Sequence, residues 1–349
     1  MNNYNNEENL TKEDLLCLLR AAMAAEASDV HLAADLPPYW RSEGRLVRQA
    51  AAPVSEELLQ ELLTEMTGEE KRMALRLQGE CDFAWSFGGR RFRVNAFRQH
   101  TGTALALRLV PQRVPALAEL SAPQVLTDLQ TATSGLILVT GPTGAGKTTT
   151  LAAFLQELAA RRAAHIITLE DPIEYVYTSG QSLINQRELE TDFVEMAGAL
   201  RGALREDPDV ILVGELRDRD TVRTALQAAE TGHLVLATLH TATAAEAVLR
   251  LESFFAAEAQ GELRAELAAV LLAVVAQQLL PRQGGGRVAA FEVMTATPAV
   301  RNLIRTGKAH QLPSLLMSGA AQGMQTMGQA VRQLAAAGRI EQAAAQRFL

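Results

Sequence analysis

The alternation of hydrophobic and polar positions divides the chain into two parts with different patterns. In the first part, short alternating runs predict strands at 29–32, 39–41, 46–48, 82–87, 91–97 and 104–110. Helical spacing of leucines predicts helices over 12–25 and 55–66, and Gly88-Gly89 is typical of a hairpin turn. These elements predict a small α+β domain over residues 11–112, preceded by a disordered lead at 1–10.

Continuous apolar runs replace the alternating ones in the second part. The runs that predict buried strands lie at 136–140, 166–169, 210–213 and 234–237. Because helical patterns separate them, we predict an α/β domain with a parallel sheet covered by helices on both faces. We assign a linker that contains Pro115 to 113–119 and this domain to 120–349. From about residue 262 the alanine-rich pattern predicts mostly helix, including a buried helix at 267–281, with a short strand at 288–293.

A glycine-rich loop lies between the first of these apolar runs and a helical pattern. The loop consists of Gly141, Pro142, Thr143, Gly144, Ala145, Gly146, Lys147 and Thr148. Its glycines let successive backbone N–H groups face a phosphate chain, while Lys147 neutralises the β- and γ-phosphates and the Thr148 hydroxyl ligates Mg²⁺. A strand before the loop and a helix after it disfavour a chance match. The sequence therefore predicts a P-loop nucleoside triphosphate hydrolase.

Polar residues also follow the other predicted parallel strands. Ligands of such sheets bind beyond the carboxyl ends of the strands, so these residues should share one edge with the loop. Glu215 ends an apolar run, where P-loop hydrolases place the acid associated with Mg²⁺, and we assign it to the metal with Thr148, directly or through water. Glu170 is then the candidate that orients or deprotonates the attacking water. Either acid could instead cap a helix or form an exposed ion pair.

Two histidines flank the last of these strands. An extended strand rises about 3.3 Å per residue, so His233 and His240 should lie on the order of 20 Å apart and cannot both touch one phosphate. We assign His240, at the carboxyl end, as the contact to the γ-phosphate, and His233 to packing or a subunit contact.

Arginines of the first domain are candidates for a contact to the nucleotide. An arginine finger must reach the transferred phosphoryl group from a neighbouring domain or subunit. Arg93 and Arg108 lie on predicted strands of the first domain and suit this role. Solvated charge at the edge of a sheet is an equally open interpretation of each.

Composition narrows the class of protein. A net charge of −7 gives no general attraction to nucleic acid, which disfavours a nucleic-acid motor, and we expect no nucleic-acid partner. Cys17 and Cys81 are far apart and exclude a zinc site made by four cysteines. The first residues lack the features of a signal peptide, and the apolar segment 267–281 is too short to span a bilayer. We therefore expect a cytoplasmic protein without a membrane span.

The motifs together resemble the ordered set of the secretion ATPase superfamily. In the terms of that family they are Walker A at 141–148, the Asp box at 168–174, Walker B at 204–218 and the His box at 231–241, with a further match at 28–32. Within the superfamily, the chain is similar to the twitching-motility retraction ATPases of type IV pili (PilT-like) over roughly residues 12–330. The extension and type II secretion ATPases usually carry a four-cysteine insertion and a longer N-terminal region; two cysteines cannot form the first, and we expect the second to be absent as well.

This resemblance implies a PAS-like N-terminal domain and a RecA-like C-terminal core. It implies a homo-hexameric ring with ATP at the subunit interfaces, and Mg²⁺-dependent hydrolysis that drives pilus retraction. The implied partner is the inner-membrane platform of the pilus, which would place the protein in the cytoplasm, peripheral to the inner membrane. The choice of adenine over guanine rests mainly on the same resemblance.

Four positions depart from the family pattern, and one of them, Val300 in place of Ile in the C-terminal motif, is a mild change. Thr306 stands where a C-terminal motif linked to retraction carries Glu, Thr101 stands where Arg is frequent before Gly102, and Ala145 replaces a frequent Ser. The change at 306 leaves open a second function, that of a nucleotide-binding regulatory or accessory paralogue that does not itself retract pili. The change at 101 removes one candidate phosphate contact, and the change at 145 is expected to be neutral because the backbone makes that contact.

Overall fold

A computed structural model describes residues 10–42, 44–111 and 113–346. The chain divides into two compact units, Met1–Gln112 and Arg113–Leu349. The lead predicted at 1–10 lies outside the described residues, apart from Leu10. Residues 113–119, predicted as a linker, belong to the second unit, where Leu117 is buried and its backbone N–H donates to Glu157 Oε1 at 2.8 Å.

The first unit is an antiparallel sheet with helices packed on it. Its helices are α1 (Lys12–Ala24), α2 (Glu56–Met66) and α3 (Glu69–Gln78). Its strands are β1 (Asp29–Ala33), β2 (Tyr39–Ser42), β3 (Arg45–Arg48), β4 (Glu80–Phe87), β5 (Arg90–Gln99) and β6 (Gly102–Leu109), in the spatial order β3-β2-β1-β6-β5-β4.

Local sequence explains where two of these helices begin. Thr11 and Ser55 cap α1 and α2 with hydroxyls that accept backbone N–H groups, as Ser and Thr commonly do at a helix start. The helix α3 was not predicted, because charged residues dominate it and Leu75 is the one residue that it buries. The α+β organisation of this unit is otherwise as the sequence indicates.

The second unit contains the sheet that carries the glycine-rich loop. Its strands are β7 (Gly135–Thr140), β8 (His165–Glu170), β9 (Leu183–Glu188), β10 (Val210–Val213), β11 (Leu234–Leu239), β12 (Leu271–Pro281) and β13 (Arg287–Thr295), in the order β13-β12-β7-β11-β10-β8-β9. Its helices are α4 (Gln124–Leu129), α5 (Lys147–Arg161), α6 (Met196–Ala203), α7 (Arg219–Glu230), α8 (Ala244–Ser253), α9 (Gln260–Val270), α10 (Pro298–Arg305), α11 (Leu312–Ser318), α12 (Met327–Ala336) and α13 (Gln342–Ala345).

This sheet is parallel from β12 to β9, and β13 pairs antiparallel with β12. Alternate residues of β7 enter two different cores: Leu136 and Leu138 pack in the core that contains α7 and α8, and Ile137 and Val139 in the one that contains α5. Helices therefore cover both faces, and the predicted α/β class is confirmed. The strands β7, β8, β10 and β11 end at one edge, which brings the residues that follow them together.

The prediction for residues 267–281 was wrong in type. The helix α9 ends at Val270, and Leu271–Pro281 is the strand β12, paired with β7. A short apolar run that is buried on both sides carries no periodicity that separates helix from strand, so the sequence alone could not decide. The strand β9, which includes polar residues, was not predicted. Among the described residues, no helix is long and apolar enough to cross a membrane.

Candidate functional site

The phosphate loop follows directly from the end of β7. Thr140 closes that strand, and α5 begins at Lys147 after Gly146, whose φ of 85° lies in the left-handed region that favours glycine. Lys147 is only 8% exposed, and its Nζ donates to the carbonyl oxygens of Gly141 at 2.8 Å and Pro142 at 3.3 Å. Burial lowers the pKa of Lys147, while the charges of Glu215 and Glu174 oppose that shift.

A cleft of about 390 Å³ opens beside this loop and collects most of the predicted site residues. Those that line it are Thr143, Gly144, Ala145, Gly146, Lys147, Thr148, Glu170, Glu215 and His240. Gly141 and Pro142 are not among the lining residues; their carbonyl groups instead hold the Lys147 ammonium. The parallel register of the sheet is what brings together residues that are up to a hundred positions apart in the chain.

Glu215 lies in a charged network at the edge of the cleft. Its Oε2 accepts from Arg217 Nε at 2.7 Å and lies 3.3 Å from His240 Nε2. A second Arg217 nitrogen, Nη1, donates to Asp171 Oδ2 at 2.8 Å. Sequence reasoning missed Arg217 as a site residue, although it lies only two positions after Glu215 in the quoted Walker B segment. Arg217 thus links Glu215 to Asp171, two acids that follow different strands.

Glu170 has a different environment from Glu215. It is the last residue of β8, is 3% exposed, and its Oε1 accepts from Thr168 Oγ1 at 2.7 Å and from Gln186 Nε2 at 3.0 Å. The backbone N–H of Glu174 also donates to this carboxylate. Desolvation nevertheless outweighs these bonds and raises the pKa of Glu170 to about 7. A carboxyl group with such a pKa can accept a proton near neutral pH.

This raised pKa predicts that stability depends on pH through Glu170. The folded-state pKa of about 7 exceeds the ordinary value of 4.5. The stabilising contribution of the protonated group is therefore complete below about pH 4.5 and is lost as pH rises through about 7, at most about 3 kcal/mol. Glu170→Gln stays neutral, so we expect its melting temperature to rise relative to wild type as pH increases from 5 to 8. Thermal unfolding at several pH values tests this. A difference between the two proteins that does not change with pH would contradict it.

The hydroxyl of Thr148 and the carboxylate of Glu215 are the groups assigned to Mg²⁺, and both residues line the cleft. Oxygen donors suit this ion, which usually keeps several waters and takes its remaining ligands from one or two protein groups and the substrate phosphates. The described residues contain no group of three or more histidine, cysteine or acidic side chains that could hold a metal on their own. The donor set therefore fits Mg²⁺ that is bound together with a nucleotide.

The predicted arginines of the first unit lie opposite each other in one ladder. Arg93 of β5 pairs with Arg108 of β6, and Arg108 Nε donates to Asp29 Oδ1 at 2.8 Å. Desolvation of Asp29 opposes its ionisation, but the hydrogen bonds from Arg108 and Ser28 outweigh it and lower the pKa of this carboxyl. Arg108 thus has an acidic partner within its own unit, and the assignment of both arginines to the nucleotide stays a prediction.

The two histidines differ in their contacts as well as their positions. His233 Nδ1 lies 2.9 Å from the carbonyl oxygen of Ala228, in the last turns of α7. His240 follows β11, with Nδ1 3.5 Å from Thr143 Oγ1 of the phosphate loop. Only His240 lines the cleft, so the proposed contact to a γ-phosphate remains open to it, whereas His233 makes a local packing contact.

Comparison with known proteins finds similarity over nearly the whole chain. The family model described as Type II/IV secretion system protein matches residues 5–345. The chain is 50% identical over 314 residues to the uncharacterized protein YggR of Escherichia coli (strain K12), covering 90% of this chain and 95% of that protein. It is 44% identical over 328 residues to the type IV pilus retraction ATPase PilT of Pseudomonas aeruginosa, covering 94% of this chain and 95% of that protein. A crystal structure of the pilus retraction motor PilT with bound ADP matches with a TM-score of 0.89 and 42% identity over 96% of each chain.

Proposed function

This chain belongs to the type II/IV secretion system protein family, and from that membership we propose that it is an ATPase that powers retraction of a type IV pilus. One observation carries the proposal: Lys147, Glu170, Glu215 and His240 line a single cleft beside a phosphate loop. The identity of 44% to the retraction ATPase PilT over 94% of the chain supports the assignment to type IV pilus retraction.

The chemistry that we propose follows from the placement of the side chains. Lys147 exchanges its two carbonyl acceptors for phosphate oxygens, and the loop N–H groups hold the β-phosphate. Glu170, which can be deprotonated near neutral pH, orients the attacking water and accepts its proton. His240 contacts the γ-phosphate from the end of β11. Mg²⁺, bound by Thr148 and Glu215 together with the phosphates, would neutralise charge on the β- and γ-phosphate oxygens.

We further propose that the protein works as a homo-hexameric ring in the cytoplasm, at the inner face of the inner membrane. Arg93 and Arg108 are the candidates for contact with nucleotide in this assembly. The platform proteins of the pilus would be its partners. Size measurement by light scattering, with and without a non-hydrolysable ATP analogue and Mg²⁺, tests the ring. A protein that stays monomeric under both conditions would contradict this part of the proposal.

The test of the motor function combines a purified enzyme with a deletion strain. We expect Mg²⁺-dependent phosphate release from ATP by the purified enzyme. We expect the deletion strain to lose twitching motility and to regain it with the wild-type gene.

The departure at Thr306 motivates one alternative function. Threonine places a hydroxyl and no carboxylate at the end of α10, and this hydroxyl donates to the carbonyl oxygen of Asn302 at 2.9 Å. Normal motility in the deletion strain, together with nucleotide binding by the purified protein, would favour the accessory paralogue.

A further inference from the structure

Gln277 is a buried amide on β12 that lies next to the phosphate loop. Gln277 is only 2% exposed, and most other residues of its strand are apolar. The strand runs parallel to β7, and Ala276 pairs with Thr140, the last residue of β7. Gln277 is therefore one residue further along β12 than the residue that pairs with the end of β7, and it lies beside the start of the loop. A buried amide costs free energy unless it is hydrogen-bonded, so its partners indicate why it is there.

Both ends of the Gln277 amide bind the phosphate-loop region. Nε2 donates to the carbonyl oxygen of Ala145 at 2.8 Å, and Oε1 accepts from Thr150 Oγ1 at 2.7 Å. Ala145 lies within the loop and Thr150 in the first turn of α5. One side chain thus joins the loop to the start of the helix. These three residues are buried, and the two bonds satisfy the Gln277 amide at both ends.

The glycines of the loop show how closely Gln277 approaches. A Cβ atom added at Gly141 would collide with the backbone oxygen of Gln277, and one added at Gly146 would lie 2.9 Å from its Nε2, which is also too close. Both distances are shorter than real Cβ contacts. The contact at Gly141 is with backbone, and the φ of 85° at Gly146 independently favours glycine, so both positions suit glycine while the loop keeps this conformation. The backbone of Gln277 contacts the beginning of the loop, and its amide contacts the end.

We propose that Gln277 is a positioning residue for nucleotide binding, which fixes the phosphate loop through Ala145 and Thr150. The proposal rests on the ATPase function and extends its machinery to a strand more than a hundred residues beyond the loop motif. Gln277 touches no phosphate itself. It holds the loop backbone in the shape that directs successive N–H groups at the phosphates, which reduces the ordering that binding would otherwise require.

Gln277→Met tests this inference because it keeps the length of the side chain and removes both hydrogen bonds. We expect the Kd for a fluorescent ADP analogue, titrated with Mg²⁺, to rise about tenfold or more. The KM for ATP should rise more than kcat falls. Thr150→Val, which removes only one of the two bonds, should raise Kd by a smaller factor. The double variant should bind no worse than Gln277→Met alone, because both changes break the same link.

Gln278→Met is the matched control. Successive residues of a strand point to opposite faces, so Gln278 does not face the loop and its variant should bind ADP as wild type does. A Gln277→Met protein that melts at a lower temperature but binds ADP within about twofold of wild type would overturn the inference. If that variant does not fold, an unchanged Kd for Thr150→Val overturns it equally. Failure of the wild-type protein to bind ADP or hydrolyse ATP would instead overturn the proposed function.

Discussion

Lys147→Ala is expected to abolish ATP hydrolysis, with kcat lowered by about a hundredfold or more, as for removal of a group that stabilises transition-state charge. The ammonium group lies at the start of α5, bonded to the Gly141 and Pro142 carbonyl oxygens at the edge of the cleft. Its replacement leaves no cation on the loop to balance the β- and γ-phosphates. Phosphate release at saturating ATP and Mg²⁺ measures the effect.

A surface lysine provides the control for this variant. Lys308 is exposed after α10, and Lys308→Ala should keep wild-type turnover. Melting temperatures of both variants establish that they fold. Retention of more than about a tenth of wild-type kcat by a folded Lys147→Ala protein would contradict the assigned role, because one electrostatic contact of this kind contributes considerably more.

The parts of the site that the sequence predicts are those encoded by local pattern. The phosphate loop is a contiguous motif between a strand and a helix, and Glu170 and His240 each close or follow an apolar strand. The rule that parallel strands end at one edge was then enough to place these side chains at one cleft. The α/β class follows from the same alternation of buried strands and helical patterns.

The parts that it does not predict depend on pairing between distant segments. Whether Leu271–Pro281 is a strand depends on its partner β7, since its apolar run has no helical or alternating period. If this segment is predicted as a helix, the sequence gives no indication that Gln277 lies near the loop. Arg217 was missed for a different reason: its role is set by Asp171 and Glu215, which follow different strands. Such contacts appear only when the register of the sheet is known.

Glu215 and Glu170 lie in different environments, which fit different roles in hydrolysis. Glu215 accepts a hydrogen bond from Arg217 and lies beside His240 at the edge of the cleft, and its carboxylate oxygens are donors of the kind that Mg²⁺ prefers. Glu170 is more deeply buried, and its pKa of about 7 suits a group that gains and loses a proton.

Glu170→Gln is accordingly expected to bind ATP but to stop turnover, with kcat lowered by about 10²- to 10⁴-fold, the range for loss of a general base. The glutamine oxygen can still accept from Thr168 and Gln186, so the fold and the cleft should persist. Titration with a fluorescent ATP analogue measures binding, and phosphate release measures turnover. The same two assays on Glu215→Gln should show a different result, a loss of the part of nucleotide affinity that depends on Mg²⁺.

Glu258→Gln is the matched control for the Glu170 variant, since Glu258 is an exposed acid in the turn Ala257–Ala259. It should leave both binding and turnover unchanged. Equal rates of hydrolysis in wild type and Glu170→Gln would remove Glu170 from its role, whatever the binding result.

The rate of hydrolysis by the wild-type protein should also rise with pH as Glu170 loses its proton, with a midpoint near pH 7 if that ionisation limits turnover. Because Gln cannot ionise, the residual rate of Glu170→Gln should lack this dependence, which separates a proton acceptor from a side chain needed only for packing.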